Sequence, residues 1–563
     1  MATAASPYPG ARRGWARLKP DAWSLSIGAI ALLMAMPILV VASYAFHPGN
    51  EVWAHLAETV LQDYVLNSLA LAAGVAAGTL VIGVGTAWLT VMCDFPLRRT
   101  LSWLLLLPMA VPAYIIAYTY TGMLEFAGPV QETLRAWTGW EYGDYWFPPV
   151  RSLGGAIVML TLVLYPYVYL LTRAAFIEQC VCVLDVGRTL GLRPFAVFRR
   201  IALPLARPAV VTGLSLVLME TLADYGAVKY FGVSTFTTGI FRTWFGLGDQ
   251  AAAAQLSAVL LGVIFSLILL ERWSRRQRQY HHTGHAYQAL PSYPLHGGRA
   301  VCACLACLLP VVFGFVLPAW QLLAWSLQTG AEQIDDRFPQ LIWNTVSLAG
   351  ITALLAVGLA LVLGYGRRLR RGRFVRAAVR IASLGYAVPG TVIAVGVIIP
   401  FAWLDNSIDN LSRAYWGVST GLILSGTVVA LVFAYLVRFL AVSLQTVEAG
   451  LANVSTTIDD TARSLGASPW HVMGRVHVPL LRGSLLTAGL LVFVDVLKEL
   501  PATLILRPFD FNTLAVRTFE LASDEQLAAA APAALAIAVA GIGPVILLSR
   551  SIGQSRPGQR PDA

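Results

Sequence analysis

Twelve long apolar runs dominate this sequence, at roughly residues 22–45, 65–92, 101–122, 152–175, 203–223, 252–271, 300–326, 341–365, 376–403, 418–441, 480–498 and 527–549. A bilayer core is crossed by about 20 mostly apolar residues of helix. Within it every backbone N–H and C=O must be paired internally, which leaves helices and closed barrels as the only spanning structures. Runs of this length predict helix. The expected fold is therefore all-α, a polytopic membrane protein of about twelve transmembrane helices. Composition agrees, because 57% hydrophobic against 12% charged residues, with a mean hydropathy of +0.67, leaves too little polar surface for a soluble globular protein.

The formal net charge is +10, a value that on its own would fit a nucleic-acid partner. Its distribution points elsewhere. With the N-terminus placed inside, Lys and Arg gather on alternate loops, most densely over residues 367–380, while an outer loop carries Glu332, Asp335 and Asp336. That is the positive-inside pattern of a chain lying in a lipid membrane, and no nucleic acid is expected. The first run follows Arg12, Arg13, Arg17 and Lys19 and exceeds the roughly 7–15 residues of a signal-peptide core, so it reads as a retained span with both termini cytoplasmic. The six cysteines fall in spans or inner segments, where no disulfide framework is expected.

The spans repeat. Asn67-Ser-Leu-Ala-Leu-Ala returns as Asn344-Thr-Val-Ser-Leu-Ala, and Ala110-Val-Pro-Ala returns as Ala387-Val-Pro-Gly, both 277 residues on. A polar segment, 185–208, returns as 460–483 at an offset of 275. Duplication explains all three matches. The expected organisation is a cytoplasmic tail (1–21), a first transmembrane repeat (22–271), a cytoplasmic linker (272–299), a second repeat (300–549) and a cytoplasmic tail (550–563). Six spans per repeat make the two copies parallel, with both polar segments facing the cytoplasm. Inverted-repeat secondary transporters need the opposite parity. Pro112 and Pro389, inside apolar runs, predict a kink in each helix.

Each polar segment has an acid (Asp185, Asp460), then Gly six positions on (Gly191, Gly466), and after nine more residues Ile201 or Val476 three positions before Pro204 or Pro479. Glycine permits a sharp bend, and Pro194 and Pro469 suit the first turn of a short helix. Phe195 with Val197 or Phe198, and Trp470 with Val472 or Met473, are expected to project apolar knobs beside Arg199 and Arg200 or Arg475. Aromatic residues beside cations are typical of interfaces. The frame resembles the EAA loop of membrane subunits of binding-protein-dependent ABC importers, E-A-A, three residues, G, nine residues, I-x-L-P. Here the opening triplets read Asp-Val-Gly and Asp-Thr-Ala. The resemblance implies a fused permease whose two coupling helices each dock on one of two copies of a cytoplasmic ABC ATPase. The chain itself has no Gly-Lys-Ser/Thr phosphate loop, since Lys19, Lys229 and Lys498 follow Leu, Val and Leu. It is expected to be no enzyme and to hold no cofactor, with ATP and Mg²⁺ bound by the partner.

Beyond each polar segment lie two carboxylates four residues apart, Glu220 and Asp224, then Asp495 and Glu499. That spacing predicts one helix face, and ionisable groups at membrane depth usually face a cavity or a partner. The stretches ETLADYG and KELPATLILRP resemble those of ferric-iron permeases, themselves fused twelve-span chains. This resemblance implies a bacterial inner-membrane importer that receives ferric iron from an extracytoplasmic ferric-binding protein. Fe³⁺ is a hard cation suited to oxygen ligands, whereas an anionic substrate would favour Arg and helix N-termini. No metal is expected to reside permanently. The carboxylates could instead pair with Lys498, Arg507 or loop amides and hold an outer gate. Tyr165, Tyr167 and Tyr169 point to different helix faces and are not counted as a site. Thiamine, phosphonate or polyamine remain alternative substrates, and an ATP-independent secondary transporter the alternative class.

Overall fold

A computed structural model describes residues 22–141, 143–178, 191–276, 293–333, 337–370, 372–452 and 454–554. These residues form an all-α membrane protein, its strand content two short parallel pieces, Cys93–Asp94 and Tyr293–Pro294, paired to each other. Ten helices are long and apolar enough to cross a membrane, and two further helix pairs pass the same test only with a sharp bend, which makes up to twelve spans.

The duplication shows in matched elements. Helix Leu61–Met92 corresponds to Phe338–Leu369, and the short 3₁₀ turn Leu107–Ala110 to Leu384–Ala387. The repeated Asn has one task in both halves: Asn67 donates to the Ser234 carbonyl at 3.0 Å, and Asn344 to the Asn512 carbonyl at 3.1 Å. Each bond ties the start of a span to the loop that follows the carboxylate segment. An unpaired backbone carbonyl at that depth would be costly, so a fixed amide donor is the local answer.

One expectation is corrected. Pro112 and Pro389 do not kink a continuous helix. Each ends a break, after the short helices Arg98–Leu104 or Arg373–Ala382 and the 3₁₀ turn, and precedes the helices Ala113–Leu124 and Gly390–Trp416. Proline forces the residue before it out of helical geometry, and Val111 and Val388 are indeed extended, at ψ 127° and 130°. The ring's fixed φ then suits the start of the next helix. The helix Arg373–Ala382 buries Val375, Ala378, Val379 and Ala382 while Arg373, Arg376 and Arg380 stay exposed, as an element lying across the bundle requires. The eleventh run is a single helix, Arg482–Leu497, and the bend comes at its start, where it meets Pro469–Leu480 at 82°.

The halves interlock. Helix Ala22–Tyr44 belongs to the first repeat but packs on Arg373–Ala382 and Gly390–Trp416 of the second, and the second repeat's Leu317–Gln333 packs on Ala113–Leu124 of the first. Helices Leu203–Ala223 and Arg482–Leu497 therefore sit inside a common core, and their ends meet at one place.

Candidate coupling surface and central cavity

Over 191–202 and 466–477 the two polar segments fold alike. Asp185 lies outside the described residues. Gly191 and Gly466 adopt φ of +76° and +78°, the left-handed conformation that glycine tolerates best. Pro194 and Pro469 open the short helices Pro194–Val197 and Pro469–Val472, each followed by a π turn, Phe198–Ala202 or Met473–His477. Phe195 and Trp470 are 70% and 58% exposed, and Arg199, Arg200 and Arg475 are exposed beside them. The expected second knob is corrected. Val197 and Val472 are buried anchors, Phe198 is half-buried against Trp88, and Met473 is buried. Two residues on, a helical side chain lies about 200° away, so one exposed aromatic leaves its neighbour facing inward. Ile201, Val476 and Pro204 are half-buried, Pro479 is exposed, and Asp460 is exposed and paired with Arg463 at 3.4 Å.

Sequence reasoning missed what anchors the second segment. Asp459, next to the motif acid, is buried and accepts from Arg368 Nε at 2.6 Å. Arg368 also donates to the carbonyls of Leu451 and Ser455 at 2.6 and 2.7 Å. His477 Nε2, in a fully buried ring, lies 2.6 Å from the other Asp459 oxygen. The His477 ring touches Tyr365, Tyr365 meets Trp23 edge-on, and Trp23 stacks on Trp470 at 4.6 Å between centroids. The first repeat has no counterpart, because Val91 and Ala202, both buried, stand at the positions of Arg368 and His477. The departure of the second copy from the first at these positions was the available signal.

The carboxylates meet at the centre. Glu220, Asp224, Asp495 and Glu499 all line one cavity of about 120 Å³, together with Tyr114, Tyr167, Tyr386, Arg438 and Lys498. The same-face expectation fails, however, because both helices end between the paired acids, at Ala223 and Leu497. The reason is the second acid of each pair. Asp224 Oδ1 accepts the N–H groups of Ala227 and Val228 at 2.9 and 3.0 Å, starting helix Gly226–Tyr230. Glu499 accepts those of Ala502 and Thr503 at 3.0 and 3.1 Å, starting Pro501–Leu506. A carboxylate that satisfies first-turn donors favours a new helix over prolonging the old one.

The acids differ in their partners. Glu499 also takes the Thr503 hydroxyl at 2.8 Å and pairs with Arg438 at 3.1 Å. Asp495 pairs with Lys498 at 2.9 Å. Glu220 makes no side-chain hydrogen bond or close ion pair among the described residues and feels Lys498 only at longer range. Arg507 pairs with Glu520 rather than with a cavity acid. Among the described residues no group of three or more His, Cys, Asp or Glu converges closely enough to hold a metal ion. Of the tyrosine series, Tyr167 lines the cavity, while Tyr169 donates to the Ser102 carbonyl at 2.7 Å and Tyr165 is buried elsewhere. Arg438 and Tyr386 were not anticipated; a lone Arg inside an apolar run was an available signal for the first, whereas nothing local marks Tyr386, in the turn Leu384–Ala387, as facing this cavity.

The sequence pattern of one family, the binding-protein-dependent transport system inner membrane component, matches residues 79–279 and again 356–557. The chain belongs to that family. As an inner membrane component carrying the family's domain twice, it is similar over 94% of its length, at 26% identity, to the Fe(3+)-transport system permease protein FbpB 2 of Haemophilus influenzae, of which 99% is covered. The ferric transport system permease protein FbpB of Actinobacillus pleuropneumoniae is 24% identical over 85% of this chain and 70% of its own. The molybdenum transport system permease protein ModB of Escherichia coli is 26% identical over 38% of this chain and 92% of its own length, which is about one repeat.

Proposed function

We propose that this inner membrane component is the complete membrane pathway of an ATP-driven importer, passing ferric iron from an extracytoplasmic binding protein to the cytoplasm. The carrying observation is the central cavity, where Glu220, Asp224, Asp495 and Glu499 from equivalent places in the two repeats face one space beside the phenols of Tyr114, Tyr167 and Tyr386. Carboxylate and phenol oxygens are hard donors suited to a hard cation. Carboxylates outnumber Arg438 and Lys498 in the lining, a balance that repels an oxyanion such as molybdate. The likeness to ferric permeases over nearly the whole chain supports the same cargo.

In this reading the exposed Phe195 and Trp470, flanked by Arg200 and Arg475, dock on two copies of a cytoplasmic ATPase that bind ATP and Mg²⁺. The elbows at Gly191 and Gly466 relay the closure of the ATPases to helices Leu203–Ala223 and Arg482–Leu497, whose far ends carry the cavity acids. Asp224 and Glu499 hold the starts of the next helices and keep the cavity's shape. Glu220 and Asp495 remain to meet the cargo.

The test is iron uptake by proteoliposomes holding the assembled transporter and loaded binding protein. Glu220→Gln with Asp495→Asn should remove most ATP-dependent uptake while the complex still assembles. Uptake at the wild-type rate in that double variant would exclude these carboxylates from the route.

A further inference from the structure

The two repeats carry the same acids but not the same cations. Lys498 and Arg438 stand in the second repeat where the first, at an offset of 275, has Ala223 and Val163. The two ion pairs also differ in kind. Glu499 keeps three further donors, Ala502 N–H, Thr503 N–H and the Thr503 hydroxyl, if Arg438 leaves. Among the described residues Asp495 has Lys498 alone, 2.9 Å away. Lys498 in turn makes no other close ion pair there, feeling Glu220 only at longer range, and it lies between helices Arg482–Leu497 and Pro501–Leu506 rather than inside either. Tyr114, a residue only 6% exposed, lines the same cavity, and its buried hydroxyl has no hydrogen-bond partner among the described residues. A buried phenol in that condition is an unused oxygen donor.

We propose that Lys498 is a tethered counter-ion, holding on Asp495 the place that a cargo cation takes in passage, so that a multiply charged cation displaces it and a singly charged one does not. This deepens the functional reading above and rests on a cation crossing this cavity. Coulomb attraction at a given distance scales with charge, so a divalent or trivalent ion outbids an ammonium group for the same carboxylate, whereas Na⁺ or K⁺ gains nothing over it. The tether adds to the threshold, because a group on a short linker competes at an effective concentration of about millimolar. Glu220, with Ala223 where the second repeat has Lys498 and with no cation in contact with it, receives the ion first. Asp495 follows when Lys498 swings away. Selection for high charge is then built into a cavity that holds no chelate.

Two arms test this on the chain assembled with its ATPase. In the first, thermal unfolding of the purified complex is followed against MnCl₂, with NaCl at matched ionic strength as control. Wild type should show no Mn²⁺-dependent rise below millimolar concentration. Lys498→Gln should show a saturable rise at lower concentration, and adding Asp495→Asn should remove it. A flat titration in Lys498→Gln, or a rise that survives Asp495→Asn, would overturn the proposal.

In the second arm Lys498→Arg keeps the charge and the fold but grips the carboxylate through two N–H groups. ATP-dependent iron uptake should fall several-fold although the complex forms in normal yield, and uptake equal to wild type would refute displacement. This arm decides the matter if Lys498→Gln does not accumulate. Absence of iron uptake by the wild-type transporter would instead reject the cargo assignment, leaving the Mn²⁺ titration to judge Lys498 by itself.

Discussion

Replacing Gly466 by Val, with Gly466→Asn in parallel, isolates the mechanical role of the elbow. Gly466 has φ +78°, and a Cβ built on it meets nothing within 4 Å. The cost of a side chain there is therefore conformational and not a clash. An L-residue held in the left-handed region loses about 1–2 kcal/mol, and Asn, whose short polar side chain bonds locally, loses least. Valine is a genuine outlier there because its branched Cβ crowds the backbone. A loss of 1–2 kcal/mol shifts the ratio of formed to unformed elbow by a factor of about 5–30. The assay is ATP hydrolysis by the assembled transporter, with and without loaded binding protein. Gly466→Val should lose most of the stimulated component while Gly466→Asn keeps most of it. Gly191, at φ +76° and equally open, should respond the same way. Full stimulation in both Val variants would refute the idea that the bend transmits closure.

Phe195→Ala and Trp470→Ala, which truncate aromatics 70% and 58% exposed, should each weaken association with the ATPase by about 2 kcal/mol or more, measured as retention on an ATPase affinity column; unaltered retention would show that partner contacts lie elsewhere. Asp459→Ala strands Arg368 and His477 in a buried setting and should lower the unfolding temperature by an amount reflecting about 3–5 kcal/mol. Installing the first repeat's residues together, Arg368→Val, Asp459→Leu and His477→Ala, should recover much of that loss, and a triple variant as unstable as the single one would contradict it. In a cysteine-free background, Cys at Phe46, 90% exposed after the first span, should react with an impermeant thiol reagent in intact cells, while Cys at Leu465, 81% exposed beside the second elbow, should not; the reverse pattern would invert the topology.

Much of this protein is legible from its residues alone because bilayer physics acts locally. A run of about 20 apolar residues admits helix and little else, so the all-α fold and nearly every span follow from composition. The repeat offsets, the two elbows and the recurrence of Glu220, Asp224, Asp495 and Glu499 are likewise properties of the string. The elbow at each Gly needs no distant partner, which is why a local frame of Gly and Pro was enough to place it. What the string leaves open is whatever depends on which helix faces which. The breaks at Pro112 and Pro389 arise where a turn across the bundle competes with helix continuation. The helix ends at Ala223 and Leu497 depend on carboxylates satisfying the next helix's donors. The exchange of first helices between repeats brings Trp23 onto Trp470, and the common cavity brings Arg438 to Glu499 across 61 residues. Such pairings join residues far apart in sequence, so no spacing within one helix encodes them. The tertiary structure alone decided which carboxylates keep a fixed partner and which one stands open, because that depends on the space enclosed when the two repeats close on each other.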